Sequence, residues 1–392
     1  MKKFKVMICF LFILFTILST SINANNVVFA ETANDYNCKS YCLVDYATNK
    51  VLKSYKEYEH YEVASMVKLM TCYIAINKID SGELELSKKI ICSEYAAIQE
   101  GSQAFLDANN EYSIEELLKS IIIASANDSC VAMAEVIAGS ENKFVELMNE
   151  CAKNLGMDNT IYANCTGLPA FNQYSCARDI ATILSKVSDM ELYRKYSSIW
   201  IDELVHPSGR KTELVNTNRL VRYYPGCVCG KTGFTDEAGY CLSSCAEKNN
   251  MRLISVVMGC NSSEDRFSIS TNILNYGFTN FNNKKVVSCE EQLSVEFKGI
   301  KEGLKCHAEK DMTVLTEKVS SSELTFKTEL NKNLKLPIQK GDIVGKIVVL
   351  ENGVVVEEGN LIASEEYKKQ GLFSGAKNIF DKWFGKTKEV DF

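Results

Sequence analysis

Ser65 and Lys68 stand three residues apart where a helix is expected to begin, and this spacing could make the serine a nucleophile. Residues at i and i+3 share a helix face, so the Lys68 amine is expected one turn from the Ser65 hydroxyl. A serine hydroxyl is a weak nucleophile at neutral pH and needs an adjacent base. Lysine supplies one when burial and nearby cations lower its pKa. The helix N-terminus also leaves the Ser65 backbone N–H free to bind a developing oxyanion.

The S-x-x-K pattern is weak by itself. It occurs four times in this chain, at Ser65, Ser140, Ser208 and Ser374. A serine that simply opens a helix explains most such matches. Ser65 differs because Ser125-Ala126-Asn127 and Lys231-Thr232-Gly233, the only K-T-G of the sequence, follow it in that order. The ordered set is the signature of penicillin-recognising serine enzymes.

The apolar pattern predicts the elements that hold these motifs. Residues 39–57 are expected to form a β-hairpin, followed by the Ser65 helix, which should run to about Lys78. A strongly apolar run over 114–124 predicts a buried helix that ends directly before Ser125, and further helices are expected over 130–138 and 141–155. Strands are expected around Lys231 and over 240–245 and 252–258. The pattern predicts an α/β (α+β) domain over 31–285 whose helices pack against an antiparallel sheet.

The composition changes after about Lys285. Short β-type runs occur at 293–297, 312–315, 324–326, 343–350 and 354–358. Glu351-Asn352-Gly353 is a clear hairpin turn, so a small all-β domain is predicted over 286–366. Residues 367–392 place aromatic and aliphatic side chains on one helical arc and lysines mostly on the other, which predicts an amphipathic, membrane-anchoring helix. Docking of that helix on its own domain or on a partner is the alternative.

The first thirty residues carry the features of an export signal. Three lysines precede an apolar run over 6–18 that is too short to span a bilayer, and Val28-Phe29-Ala30 fits a cleavage site. We therefore expect a signal peptide over 1–30 and a mature chain that starts near Glu31, with an uncleaved anchor as the alternative.

Charge and metal-ligand patterns exclude other classes of function. The net charge of −6 gives no reason to expect a nucleic-acid partner. His60, His206 and His307 are widely separated and show no metal-site spacing, and a Ser-His-Asp triad based on His60 has little else to support it. The sixteen cysteines form no zinc or disulfide framework, so most are interpreted as reduced core residues.

With these elements in place, the chain resembles the serine-type D-alanyl-D-alanine carboxypeptidases of the peptidase S11 family, the low-molecular-mass penicillin-binding proteins. The resemblance covers nearly all of the mature chain. It extends to four further stretches: Asn164-Cys165-Thr166-Gly167-Leu168, Ala177-Arg178-Asp179, Asn216-Thr217-Asn218 and Leu274-Asn275-Tyr276-Gly277-Phe278. Gln173 departs from the family, many members of which carry a histidine there, and we expect this change to affect packing more than chemistry.

The resemblance implies a penicillin-binding/β-lactamase-like transpeptidase fold with no metal and no cofactor. It implies removal of the terminal D-Ala from peptidoglycan pentapeptide stems, binding of β-lactam antibiotics, and action at the outer face of the cytoplasmic membrane. It also implies that Ser65 is the nucleophile that becomes acylated and that Lys68 is its general base. Ser125 and Lys231 would relay a proton to the departing D-alanine.

The substrate-binding residues follow from the same resemblance. Asn127 would hold the substrate amide, and Thr232, Gly233 and Thr235 would line the strand on which the substrate docks. The backbone N–H groups of Ser65 and Phe234 would form the oxyanion hole. Arg266 would bind the terminal carboxylate, with Arg252 as the weaker candidate. Since two lysines in one closed site depress each other's pKa, we expect Lys68 to be neutral while Lys231 stays cationic.

Three other functions share parts of this pattern. A serine β-lactamase would need a glutamate in an E-x-x-x-N loop between the second and third motifs, and Glu213-Leu214-Val215-Asn216 is one residue short. A D,D-transpeptidase or endopeptidase differs in the acceptor or the bond cleaved, although the large N-terminal region usual in biosynthetic cross-linking enzymes is absent. An inactive peptidoglycan-binding protein is disfavoured because every expected catalytic residue is present.

Overall fold

The computed structural model describes residues 36–368, and the chain divides into two compact units, Met1–Thr279 and Asn280–Phe392. The predicted signal peptide and nearly all of the predicted terminal helix lie outside the described residues. Within residues 36–368, no helix has both the length and the apolar character needed to cross a membrane.

The first unit is built on a five-stranded antiparallel sheet with the strand order β2-β1-β9-β8-β7. Its strands are β1 Ser40–Asp45, β2 Val51–Tyr55, β7 Cys227–Thr235, β8 Gly239–Lys248 and β9 Met251–Cys260. Two small antiparallel two-stranded sheets pair β3 Lys89–Ile91 with β4 Glu111–Ser113, and β5 Ile201–Val205 with β6 Lys211–Val215. The strand that carries Lys231, β7, therefore lies at an edge of the main sheet.

Helices cover both faces of this sheet. They are α1 Lys68–Asp80, α2 Glu94–Ala97, α3 Ile114–Ala124, α4 Asn127–Ala138, α5 Glu141–Asn154, α6 Ala177–Val187, α7 Glu191–Ser197, α8 Leu220–Tyr223 and α9 Ser263–Asn280. The main core joins residues such as Met70 and Ile121 to Ile254 on one sheet face. A smaller cluster packs Ile269 and Ile273 of α9 on the other face. The predicted class, helices against an antiparallel sheet, is confirmed.

The boundaries of α3 show how local sequence sets an element. The Ser113 hydroxyl accepts a hydrogen bond from the Glu116 N–H, and the Glu116 carboxylate accepts one from the Ser113 N–H, which forms a capping box. The apolar positions Leu117, Leu118 and Ile121 are fully buried. The helix ends where Ser125 adopts a left-handed conformation with φ 64°. The predicted span over 114–124 is confirmed.

The second unit contains β-strands in two antiparallel sheets. The strands are β10 Phe281–Val287, β11 Leu293–Phe297, β12 Ile300–Ala308, β13 Met312–Glu317, β14 Leu324–Leu330, β15 Ile343–Glu351 and β16 Val354–Ala363. The larger sheet has the order β11-β12-β16-β15-β14, and β10 pairs with β13. Asn352 and Gly353 both have positive φ, 50° and 82°, as the predicted hairpin turn requires.

Both predicted boundaries of this unit shift in the structure. The unit begins at Asn280 rather than at residue 286, because β10 pairs with β13 and so belongs to the β unit. At the other end, the sequence pattern predicts that the terminal helix begins at Tyr367. Its backbone instead forms a β-bridge with Ile338, and its hydroxyl accepts a hydrogen bond from the Lys305 N–H at 2.8 Å. Tyr367 is therefore part of the β unit.

Candidate active site

Ser65 lies in a single 3-10 turn, Ala64–Val67, that leads into α1. The prediction that Ser65 opens an α-helix is corrected, because Lys68 is the first α-helical residue. Ala64 has φ 47°, which is unusual for a residue with a side chain and turns the chain sharply into the site. The i, i+3 relation survives in the 3-10 turn, so Ser65 and Lys68 still face each other.

The Lys68 amine is fully buried and contacts the Ser65 hydroxyl. Its Nζ lies 2.9 Å from Ser65 Oγ and donates a second hydrogen bond to the backbone carbonyl of Thr166. Burial lowers the pKa of Lys68 below its usual 10.5, because the ammonium form loses its hydration. A neutral amine at this distance has the geometry needed to take the proton of the serine.

A second serine–lysine pair faces the first. Lys231 Nζ donates hydrogen bonds to Ser125 Oγ at 2.8 Å and to the Thr232 carbonyl at 2.9 Å. Burial, and then the charge of Lys68, hold the pKa of Lys231 well below 10.5. Burial thus lowers the pKa of both lysines, and the expectation that Lys68 is neutral while Lys231 stays cationic remains a prediction.

Asn127 is the first residue of α4 and lines the cleft above Ser65. Its Nδ2 donates to the Glu100 carbonyl, while its buried Oδ1 has no hydrogen-bond partner among residues 36–368. The next residue, Asp128, accepts hydrogen bonds from the backbone N–H groups of Ala104 and Leu106 at 3.0 and 2.9 Å. Asn127 and Asp128 thus hold residues 100–106, which form one wall of the cleft.

The edge strand β7 forms the opposite wall. A cleft opens above Ser65, lined by Ser65, Gly101, Ser102, Asn127, Gly167, Leu168, Phe234 and Thr235. A Cβ atom on Gly233 would lie 2.6 Å from the Val63 carbonyl oxygen and 3.3 Å from Ser65 N, so glycine allows β7 to pass this close to the serine. Thr232 Oγ1 donates to Thr217 Oγ1 at 2.7 Å. Among the described residues β7 pairs with β8 on one side, which leaves its other edge facing the cleft.

The structure separates the two arginine candidates. Arg266 on α9 donates from Nη1 to the Gly233 carbonyl at 3.1 Å, and burial lowers the pKa of its guanidinium. Arg252 instead forms ion pairs with Asp189 at 2.6 Å and Glu247 at 2.7 Å. Arg266 is therefore the arginine that contacts β7 beside the cleft.

Other sequence candidates lie elsewhere. His60 Nε2 is 3.1 Å from Asn159 Oδ1, and its ring stacks on Tyr174, so the described contacts give no support to a histidine triad with Ser65. Ser140 opens α5 by accepting a hydrogen bond from the Lys143 N–H, which is the ordinary helix-capping role of an S-x-x-K serine.

Sequence reasoning assigned no role to the groups that orient the site through the backbone. The carbonyl groups of Thr166 and Glu100 accept hydrogen bonds from Lys68 and Asn127, and the Asp128 carboxylate holds the cleft wall. A backbone carbonyl leaves no residue-type signal. The family resemblance includes the stretch 164–168, but it implies no role for the Thr166 carbonyl.

Comparisons with known proteins place both units of the chain in known families. Residues 27–262 match the family Peptidase_S11, D-alanyl-D-alanine carboxypeptidase, and residues 281–369 match the C-terminal domain of penicillin-binding protein 5. The chain is 36% identical over 351 residues to D-alanyl-D-alanine carboxypeptidase DacF of Bacillus subtilis, which covers 89% of this chain and 90% of that protein. It is 31% identical to D-alanyl-D-alanine carboxypeptidase DacC of Escherichia coli, with 95% of each chain covered.

A solved structure has the same fold. The crystal structure of penicillin-binding protein 5 from Haemophilus influenzae aligns with a TM-score of 0.77 and 31% sequence identity. The alignment covers 87% of this chain and 100% of that chain, so the likeness includes both units.

Proposed function

The chain belongs to the peptidase S11 family of D-alanyl-D-alanine carboxypeptidases, and we propose that it removes the terminal D-Ala of peptidoglycan stem peptides through an acyl-enzyme on Ser65. The observation that carries the proposal is the pair of buried serine–lysine contacts, Ser65 with Lys68 and Ser125 with Lys231. Ser65 lines the cleft, and β7, the edge strand that carries Lys231, supplies Phe234 and Thr235 to its lining.

In the acylation step, neutral Lys68 accepts the Ser65 proton as Oγ attacks the carbonyl carbon of the penultimate D-Ala. The backbone N–H groups of Ser65 and Phe234 stabilise the oxyanion that forms. When the C–N bond breaks, the leaving amine takes a proton through Ser125 and Lys231, and D-alanine departs. Water then attacks the Ser65 ester, which releases the shortened peptide and restores the hydroxyl.

Recognition of the substrate rests on its extended backbone and its terminal carboxylate. An extended peptide can pair with the exposed edge of β7, and Asn127, which lines the cleft, would hold the substrate amide. The carboxylate would lie near Thr232, Thr235 and Arg266. Its negative charge would raise the pKa of Lys231 and so favour the cationic form once substrate is bound.

β-Lactam antibiotics fit the same site, because their strained amide presents an acyl group and a neighbouring carboxylate to the same donors. Opening of the β-lactam ring by Ser65 would give a covalent acyl-enzyme, as with the peptide. The chain is thus proposed to be a penicillin-binding protein in the literal sense.

D-Alanine release is the decisive measurement. The purified full-length protein is incubated with diacetyl-Lys-D-Ala-D-Ala, with Ser65→Ala as the control. Release that depends on Ser65 supports carboxypeptidase activity. Stable penicillin labelling of Ser65 without release indicates a transpeptidase that needs an amine acceptor, and rapid penicillin turnover without release indicates a β-lactamase. A protein that shows neither release nor labelling contradicts the proposal and supports an inactive binding protein.

The location of the enzyme is a further part of the proposal. Peptidoglycan lies outside the cytoplasm, and the sequence over 1–30 has the features of an export signal. We propose that the chain is exported and that its C-terminal segment holds it on the outer face of the cytoplasmic membrane. The apolar and aromatic residues of that segment are Leu372, Phe373, Ala376, Ile379, Phe380, Trp383 and Phe384.

A truncation tests the anchor. Because Tyr367 belongs to the β unit, the chain should be cut after Lys368 rather than at residue 366. The truncated enzyme is expected in the soluble fraction with unchanged activity on a soluble peptide, and the full chain with membranes. If both remain in the membrane fraction, the C-terminal segment is not the anchor or the signal is uncleaved.

A further inference from the structure

The backbone of residues 163–168 is held by side chains. Each backbone N–H of this segment donates to a side-chain oxygen rather than to a helix or strand partner. Cys165 N–H donates to Glu141 Oε1 at 3.1 Å, and Gly167 N–H donates to Asn164 Oδ1 at 2.7 Å. This segment supplies the Thr166 carbonyl to Lys68, so the side chains that hold it also determine where that carbonyl points.

Gln173 connects the two ends of this segment. Its Oε1 accepts hydrogen bonds from the N–H groups of Ala163 at 3.0 Å and Asn164 at 3.1 Å. Its Nε2 donates to the Leu168 carbonyl at 2.9 Å. The side chain is 7% exposed and uncharged, so a single buried amide joins the entry and the exit of the segment that surrounds Thr166.

The Thr166 carbonyl matters because of the shape of a neutral amine. The neutral Lys68 amine has two N–H bonds and one lone pair. When one N–H donates to Thr166, the lone pair can face the Ser65 hydroxyl 2.9 Å away. If the carbonyl moved, the amine would rotate among several orientations, and few of them would accept the serine proton. A displacement of about 1 Å in such a group costs on the order of 100-fold in rate.

We propose that Gln173 is a positioning residue for the Lys68 base, which it orients through the backbone of residues 163–168 and the Thr166 carbonyl. The inference rests on the proposed function of Ser65 and Lys68. It revises the expectation that the departure at Gln173 affects packing more than chemistry, because all three hydrogen bonds of the amide go to this one segment.

Gln173→Met tests the proposal, since methionine has a similar length but neither a strong acceptor nor a donor. The full-length protein is reacted with a fluorescent penicillin, and the acylation rate constant within the complex is separated from the dissociation constant of the complex. The variant should acylate about 100-fold more slowly. Its dissociation constant should rise less than its rate constant falls, because Gln173 is not itself among the residues that line the cleft and reaches it through a hydrogen bond to the Leu168 carbonyl.

Asn149 offers a matched control. Its amide also binds backbone atoms, with Oδ1 accepting from the Tyr162 N–H and Nδ2 donating to the Tyr162 carbonyl, both at 2.9 Å. Tyr162, whose backbone Asn149 holds, lies just outside the 163–168 segment. Asn149→Leu should lower the thermal stability of the protein but keep the wild-type acylation rate constant. Gln173→His should recover most of the rate, because imidazole retains one acceptor and one donor.

The possible results distinguish failure of the Gln173 proposal from failure of the proposed function. A Gln173→Met protein that is folded and acylates within threefold of wild type overturns the proposal. An equal loss in Asn149→Leu overturns it too, because general destabilisation would then explain both losses. If Gln173→Met does not fold, Gln173→Glu replaces it in the test, because glutamate keeps the acceptor but lacks the donor to Leu168. A Gln173→Glu protein that acylates within tenfold of the wild-type rate then overturns the proposal. A wild-type protein that is never acylated overturns the proposed function itself, and this inference with it.

Discussion

Gly167 lies against the turn that presents Ser65, and its replacement by alanine should damage the site in a predictable way. Gly167 has φ +83°, in the left-handed region, and an added Cβ would lie 2.0 Å from the Ala64 carbonyl oxygen. Gly139, after α4, has φ +81° and no atom within 4 Å of an added Cβ. Both alanine substitutions therefore force alanine into a left-handed conformation, but only the one at Gly167 also makes the new Cβ clash with the Ala64 carbonyl oxygen.

The magnitudes follow from this comparison. The left-handed conformation costs alanine about 1–2 kcal/mol at either position. At Gly167 the Ala64 carbonyl must also move from 2.0 Å to ordinary contact at 3.4 Å, a shift of about 1.4 Å. Such overpacking costs roughly a further 1–3 kcal/mol. Because Ala64 directly precedes Ser65, the same shift moves the nucleophile and should slow acylation about 100-fold.

Urea unfolding and penicillin labelling measure the two effects separately. Gly139→Ala should lose stability but acylate at the wild-type rate, while Gly167→Ala should lose more stability and most of its acylation rate. If Gly167→Ala acylates within threefold of Gly139→Ala, the close approach of Gly167 to the Ser65 turn is not needed for catalysis, and the reasoning is refuted.

Three further results are expected. The acylation rate should fall as pH falls through the pKa of Lys68, because the base must be neutral. It should level off below pH 10.5, because burial lowers that pKa, and a rate still rising at pH 10.5 would contradict this. Arg266→Gln should lower kcat/KM for D-Ala-D-Ala peptides about tenfold, whereas Arg252→Gln, with its ion pairs away from β7, should leave it unchanged. A brief maleimide treatment of the native protein, read by mass spectrometry, should modify the partly exposed thiols and spare the buried ones; a native disulfide would contradict the free state of the described cysteines. The partly exposed thiols are Cys151, Cys227 and Cys289.

The local pattern of the sequence was enough to predict several elements. The apolar run before Ser125 predicted α3, and the Asn-Gly pair at 352–353 predicted the β15–β16 hairpin. Strand β12 was not predicted, because Lys301, Glu302 and Gly303 in its first half hide the alternation of apolar residues. The β10 boundary was missed for a related reason, since a strand with several polar residues is recognised by its pairing with β13 and not by its own composition.

The motifs were enough to predict candidate reactive residues, because the chemistry of these residues depends on side-chain type and on short, local spacing. Ser65 and Lys68 are one turn apart whatever the rest of the fold does. Only the tertiary structure decided that Lys231 reaches Ser125 at 2.8 Å and that Arg266, rather than Arg252, contacts β7. It also brings the Thr166 carbonyl to Lys68 and the Gln173 amide to the Leu168 carbonyl. The sequence could not single out the Thr166 carbonyl, because every residue has a backbone carbonyl. It could not show that the two lysines are buried either, because the burial that lowers the pKa of Lys68 and Lys231 comes from residues distant in the chain.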